Sequence, residues 1–207
     1  MCAVILAAGE STRMGRDKAL LPWPPISATA AASGGTLLSA AITSLAPFTE
    51  LVIVVVGKNE DAIAPVAYAN GASLVSNPAP ERGQFSSLQV GLHEVLNRGR
   101  DSAMVTLVDR PPVSAEAIEA LVLQFTGQFV LPPAARKWAV VPEFGGKHGH
   151  PILIARELIE AFLKAPPTAS ARDIRRQHED RIQYVTVDDP RICTNVNTPE
   201  DYARLSS

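Results

Sequence analysis

The chain has little cysteine, little aromatic character and no strong charge of either sign. Two of its 207 residues are cysteines, Cys2 and Cys193. They are too few for a disulfide framework and lack metal-ligand spacing, so they read as two reduced thiols in a cytoplasmic protein. Aromatic residues make up 5% and the formal net charge is −2, which implies no electrostatic attraction to nucleic acid or to an anionic membrane. Apolar runs stay far shorter than the roughly 20 residues of a spanning helix, and no segment reads as a signal peptide. An anionic substrate must therefore be met by a local cluster of positive groups. Against these absences stand 46% hydrophobic and 19% charged residues, a globular composition suited to a single domain over residues 1–207.

Continuous apolar runs alternate with amphipathic segments. AVIL (3–6), LVIVVV (51–56) and AMVTLV (103–108) are rich in β-branched residues and read as strands buried on both faces. Helical patterns cover 36–45, 59–69, 86–96 and 114–125, the last with Ser114 as N-cap. This alternation argues for a doubly wound α/β fold. Further on, WAVVP (138–142) and HPILIA (150–155) flank a Gly-rich turn and suggest a hairpin near the sheet's edge. Helical patterns at 156–165 and 170–179 precede a last strand at 182–187. Thr198, Pro199 and Asp201 then supply a short terminal helix with an N-cap, a first-turn proline and an acidic third position. PWPPISATAAASGG (22–35) has no periodic apolar face and reads as a flexible surface loop.

In open parallel sheets, ligands bind where loops leave the carboxyl ends of strands. LAAGESTRMGRDK (6–18) is the first such loop. Ala7, Ala8 and Gly9 let a ligand approach the backbone, Arg13 offers a planar fork and Lys18 a compact charge. The residues admit either a phosphate cradle or a polar turn. Asp109, in LVDRPPV, follows a buried strand and could hold Mg²⁺ against a triphosphate or merely cap a turn. The loop NPAPERGQFSSL (77–88) offers amides and hydroxyls to a nucleobase, and GGKHGHP (145–151) offers a lysine and two histidines. In NVN (195–197), either amide oxygen could complete a Mg²⁺ shell or cap a turn.

Five segments in the same order, LAAGESTRMGRDKALLP, NPAPERGQFSSLQVGL, LVDRPPV, GKHGHPILIARELI and VDDPRICTNVNTPEDY, resemble the nucleotidyltransferases that mature the molybdenum cofactor. The resemblance spans nearly the whole chain. It implies a three-layer, Rossmann-like nucleoside-diphospho-sugar transferase fold with a mostly parallel mixed sheet. It implies a reaction in which an acceptor phosphate attacks the α-phosphorus of a nucleoside triphosphate and pyrophosphate leaves. Leu6, Ala7, Ala8 and Gly9 would line the nucleotide, Arg13 and Lys18 would neutralise the triphosphate, and Asn77, Gly83 and Ser87 would lie near base and ribose. Asp109, with Asn195 or Asn197, would hold Mg²⁺. Beside this, Arg110, Lys147 and His150 are candidates for binding the acceptor, the two histidines of GGKHGHP alternatively being merely exposed.

LAAG, the SSL serines and GHP look like the branch that attaches cytidine from CTP to molybdopterin, whereas NVNTPED looks like the guanylate branch. Arg110 stands where the cytidylate branch generally carries Gln. The expected partners are thus a nucleoside triphosphate and a phosphorylated small molecule such as molybdopterin, with a molybdenum enzyme as recipient. A sugar or polyol phosphate as acceptor, and a non-catalytic carrier of nucleotide or cofactor, are the alternatives.

Overall fold

A computed structural model describes residues 1–25, 34–166 and 168–206. In chain order the elements are β1 (Cys2–Leu6), β2 (Pro22–Trp23), β3 (Gly35–Thr36), α1 (Leu37–Leu45), β4 (Leu51–Val56) and α2 (Glu60–Ala69). There follow β5 (Ser73–Ser76), α3 (Gln84–Asn97), β6 (Ser102–Leu107), α4 (Ala115–Gly127) and β7 (Ala139–Phe144). The last are β8 (Lys147–His148), β9 (Ile152–Ala155), α5 (Arg156–Lys164), α6 (Ala171–Gln177), β10 (Ile182–Thr186) and α7 (Pro199–Ala203).

The main sheet runs β10-β7-β9-β6-β1-β4-β5, with β8 hung on β7. β1 pairs in parallel with β4 and β6, β4 with β5, and β7 with β10. Only β9 and β8 run against their neighbours. This is the expected α/β architecture with a mostly parallel mixed sheet.

Strand alternation builds its three layers. Ala3 and Ile5 of β1 face one side, where they pack with Leu38 of α1, Ile63 of α2 and Leu121 of α4. Cys2, Val4 and Leu6 face the other side, against Leu92 of α3, Leu158 of α5 and Ile174 of α6. α3 lies so close to the sheet that a Cβ at Gly91 would sit 2.6 Å from Val4 Cγ1 and 2.9 Å from Val55 Cγ2. The glycine thus sets the height of α3 over β1, and with it the position of the loop that enters this helix.

The second-half hairpin lies near the edge of the sheet, as expected: β9 is inserted antiparallel between β6 and β7, and β10 pairs with the outer side of β7. One expectation needs correction: the segment 22–35 is not wholly loop. Its ends form a two-stranded ribbon, Pro22 opposite Thr36 and Trp23 opposite Gly35, while residues 26–33, which carry most of that reading, lie outside the described residues. Among the described residues no helix is long and apolar enough to cross a membrane.

Candidate active site

The carboxyl ends of β1 and β6 are neighbours in the sheet, which sets the loop after Leu6 beside Asp109. Local hydrogen bonds shape that loop. Ser11 adopts a left-handed backbone (φ 50°), and its hydroxyl accepts from the Lys18 amide at 3.1 Å. Asp17 accepts from the Ala19 amide at 2.9 Å and from Asn59 Nδ2 at 2.6 Å. Asn59 also donates to the Ala7 carbonyl at 2.9 Å, so one side chain from the β4–α2 connection grips both ends of the loop. Met14, Leu21 and Val196 form a small buried cluster with Tyr202 against it. Tyr202 donates its hydroxyl to the Pro22 carbonyl, fixing the C-terminal segment onto the first loop.

These ties bring Lys18 to the centre. Its ammonium donates to Asp109 Oδ2 at 3.2 Å and to Asn197 Oδ1 at 3.1 Å. Arg13 Nη2 reaches the same Asn197 oxygen at 3.5 Å. An ammonium has three protons, so one is left for a ligand oxygen. Asp109 Oδ1 is buried and accepts no hydrogen bond among the described residues. The orphaned carboxylate oxygen is a hard donor that suits Mg²⁺ taking most of its shell from phosphates and water, whereas the Asn197 oxygen becomes available to a metal only when Lys18 and Arg13 turn from it to a phosphate. Among the described residues no cluster of three or more His, Cys, Asp or Glu forms an all-protein metal cage.

A cavity of about 210 Å³ opens above this floor, lined among others by Leu6, Ala8, Gly9, Lys18, Ser87 and Asp109. Gly83 lines it too, and its φ of 89° at the entry to α3 is a conformation that favours glycine. Gly9 differs: a Cβ there would meet nothing within 4 Å and its φ is not in the left-handed region, so the fold itself does not demand glycine. Ala7 and Asn77 lie beneath the surface. Asn77 donates to the hydroxyls of Ser86 and Ser87 at 2.9 and 3.0 Å and accepts from the Ala79 amide at 2.9 Å, so it supports the loop.

Other sequence-predicted residues are not gathered here. Asn195 is exposed, while Asn197 is the member of the pair at Lys18. Lys147 is exposed on β8 and lines neither large cavity. Arg110 turns away and donates to the Ile192 carbonyl at 3.0 Å. Burial pulls its pKa down, against the opposing charge of Asp109.

His150 lines a second cavity of about 540 Å³ that meets the first at Leu6, Gln84 and Leu107. Its walls include Phe85, Leu88, Val105, Ile152, Ile154 and Phe162. Burial, then the charges of Arg110 and Arg175, push the His150 pKa down to about 3, so the imidazole is neutral near pH 7. Arg82, Arg172 and Arg175 also face this cavity, and sequence reasoning missed them. The available signal was two arginines three apart in a helical segment, which share one helix face.

The family described as MobA-like NTP transferase domain matches residues 3–182. The molybdenum cofactor cytidylyltransferase of Escherichia coli K12 is 24% identical over 202 residues, covering 96% of this chain and 92% of that protein. A probable molybdenum cofactor guanylyltransferase of Mycobacterium avium is 27% identical over 207 residues, covering 100% and 95%. Among solved structures, Rv0371c of Mycobacterium tuberculosis superposes with a TM-score of 0.77 at 22% identity, covering 100% of this chain and 98% of that one. That protein has also been solved as a complex with manganese.

Proposed function

Because the chain belongs to the MobA-like NTP transferase domain family, we propose that it moves a nucleoside monophosphate, CMP from CTP as first choice, onto the phosphate of a molybdopterin-type acceptor. The observation that carries this reading is the Lys18 ammonium held at 3.2 Å from Asp109 and 3.1 Å from Asn197 on the floor of a cavity walled by the first loop. In the reaction an acceptor phosphate oxygen forms a bond to the α-phosphorus. The bond from that phosphorus to the bridging oxygen breaks, and pyrophosphate leaves with the electron pair. The nucleophile is already ionised and needs no general base, consistent with a floor that offers cations and one carboxylate.

Lys18 and Arg13 would offset charge on the triphosphate, and the remaining Lys18 proton would follow the leaving group. Asp109 and Asn197 would hold Mg²⁺, which supplies further charge neutralisation on the phosphates when bound. Backbone at Ala8 and Gly9 would let the nucleotide close on the loop, with Gly83 and Ser87 beside base or ribose. The body of the acceptor would fill the second cavity, which shares Leu6, Gln84 and Leu107 with the first. GTP is the second choice of donor, because Asn197 sits on the ammonium where the cytidylate branch usually carries aspartate.

The test is pyrophosphate release with each common triphosphate and Mg²⁺, against molybdopterin and a panel of sugar and polyol phosphates. Turnover of CTP with molybdopterin is expected. Turnover with sugar phosphates but never molybdopterin would refute the acceptor, and nucleotide binding with no pyrophosphate from any pair would make the protein a carrier.

A further inference from the structure

Arg82, Arg172 and Arg175 face the second cavity, and among the described residues none of the three makes an ion pair or side-chain hydrogen bond. Several other arginines pair with carboxylates, Arg98 with Glu94, Arg100 with Glu50, Arg156 with Asp101 and Arg191 with Asp189, whereas Arg16 and Arg176 also make no ion pair or side-chain hydrogen bond among the described residues. Among the described residues no aspartate or glutamate lines this cavity. A chain of net charge −2 thus keeps a carboxylate-free cationic mouth over an apolar pocket. Unpaired guanidinium groups at a pocket mouth are free to meet an anion with two donors each.

Their placement narrows the ligand. Arg82 precedes α3, whereas Arg172 and Arg175 project from α6, so the cations come from two separate elements. None of the three lines the polar cavity that holds Lys18 and Asp109. A ligand whose phosphate reaches that floor would lay its body along Phe85, Phe162 and Ile152, and the arginines would meet a different part of it.

We propose that Arg172 and Arg175, with Arg82 lining the same cavity from another element, bind a second anionic group of the acceptor, separate from the phosphate that attacks. This rests on the acceptor reading above and extends it. A pterin carrying a dithiolate besides its phosphate offers such a second anion, whereas a polyol monophosphate does not.

Steady-state kinetics of an Arg172→Ala/Arg175→Ala double variant tests this, with molybdopterin and with molybdopterin whose thiolates have been alkylated by iodoacetamide. For the intact acceptor KM should rise by about tenfold or more, with kcat and the nucleotide KM unchanged. For the alkylated acceptor the variant and the parent should share one KM. Arg82→Ala, on the other element, should raise the same KM and guards against a local folding defect in α6. An unchanged acceptor KM in these variants, with normal turnover, would overturn the arginine assignment and leave the reaction standing. No turnover of molybdopterin by the parent with any triphosphate would overturn both.

Discussion

The two cavities share a border and differ in almost everything else. The smaller is the more polar, and the side chains in and around it are already bound to one another: Lys18 to Asp109 and Asn197, Asp17 to Asn59, Ser11 to the Lys18 amide. The larger is apolar, with arginines that hold no partner among the described residues. A network fixed before the ligand arrives loses little reorganisation energy during the reaction, which is how positioned charges accelerate phosphoryl chemistry. Loose cations over an apolar wall recognise a ligand by affinity. Substitutions of the networked charges at the first cavity should therefore act on kcat, and those of the arginines at the second on the acceptor KM.

The largest effect is expected at Asp109. Asp109→Asn keeps the side chain's shape, and one of its oxygens already lacks a partner, so the fold should be retained. Metal-dependent turnover should fall by on the order of 10²–10³-fold. Full turnover at ordinary Mg²⁺ would remove Asp109 from the reaction and break the contrast between the cavities. Lys18→Ala should come next, lowering kcat by roughly 10²-fold while nucleotide binding weakens less. Equal losses in kcat and in nucleotide binding would show that the ammonium acts on the ground state alone.

How much of this was legible in the sequence follows the same border. Backbone signals are local and were readable: LVIVVV became β4, Ser114 accepts from the Ala117 amide, and Thr198 with Asp201 forms a capping box. The first cavity was readable in large part because its residues cluster in two βα loops and at one strand end. Its supports were not, since Asn59 lies 42 positions from the Asp17 it binds. The second cavity was unreadable because β6, β9, α3, α5 and α6 each contribute only a few of its residues. Their apolar side chains match ordinary core positions, and nothing local announces that a space remains between them. The antiparallel insertion of β9 is likewise a tertiary fact, since its apolar run fits a strand of either direction.

Gly9 tests whether the polar cavity is shaped for a ligand or for the fold. A methyl group there would meet no protein atom within 4 Å, and Gly9 lines the cavity. Gly9→Ala should leave the thermal midpoint unchanged and weaken triphosphate binding by about tenfold, read by titration calorimetry. A lowered midpoint with unchanged binding would mean that the glycine serves the loop's backbone alone.

The smallest effect is expected at His150, and it is one of stability. The imidazole sits in the second cavity with a pKa held down to about 3, by burial first and by Arg110 and Arg175 after it. In the unfolded chain it titrates near 6.5. Above that pH it is neutral in both states and contributes no pH dependence. As pH falls from about 6.5 towards about 3 the unfolded chain gains a proton that the folded chain does not, so stability declines across that window. His150→Gln stays neutral throughout and should lose less stability than the parent between about pH 7 and about pH 5, measured by urea unfolding. If both proteins lose stability in parallel, His150 is not held neutral, and the second cavity carries one more positive group at acid pH than the arginines alone supply.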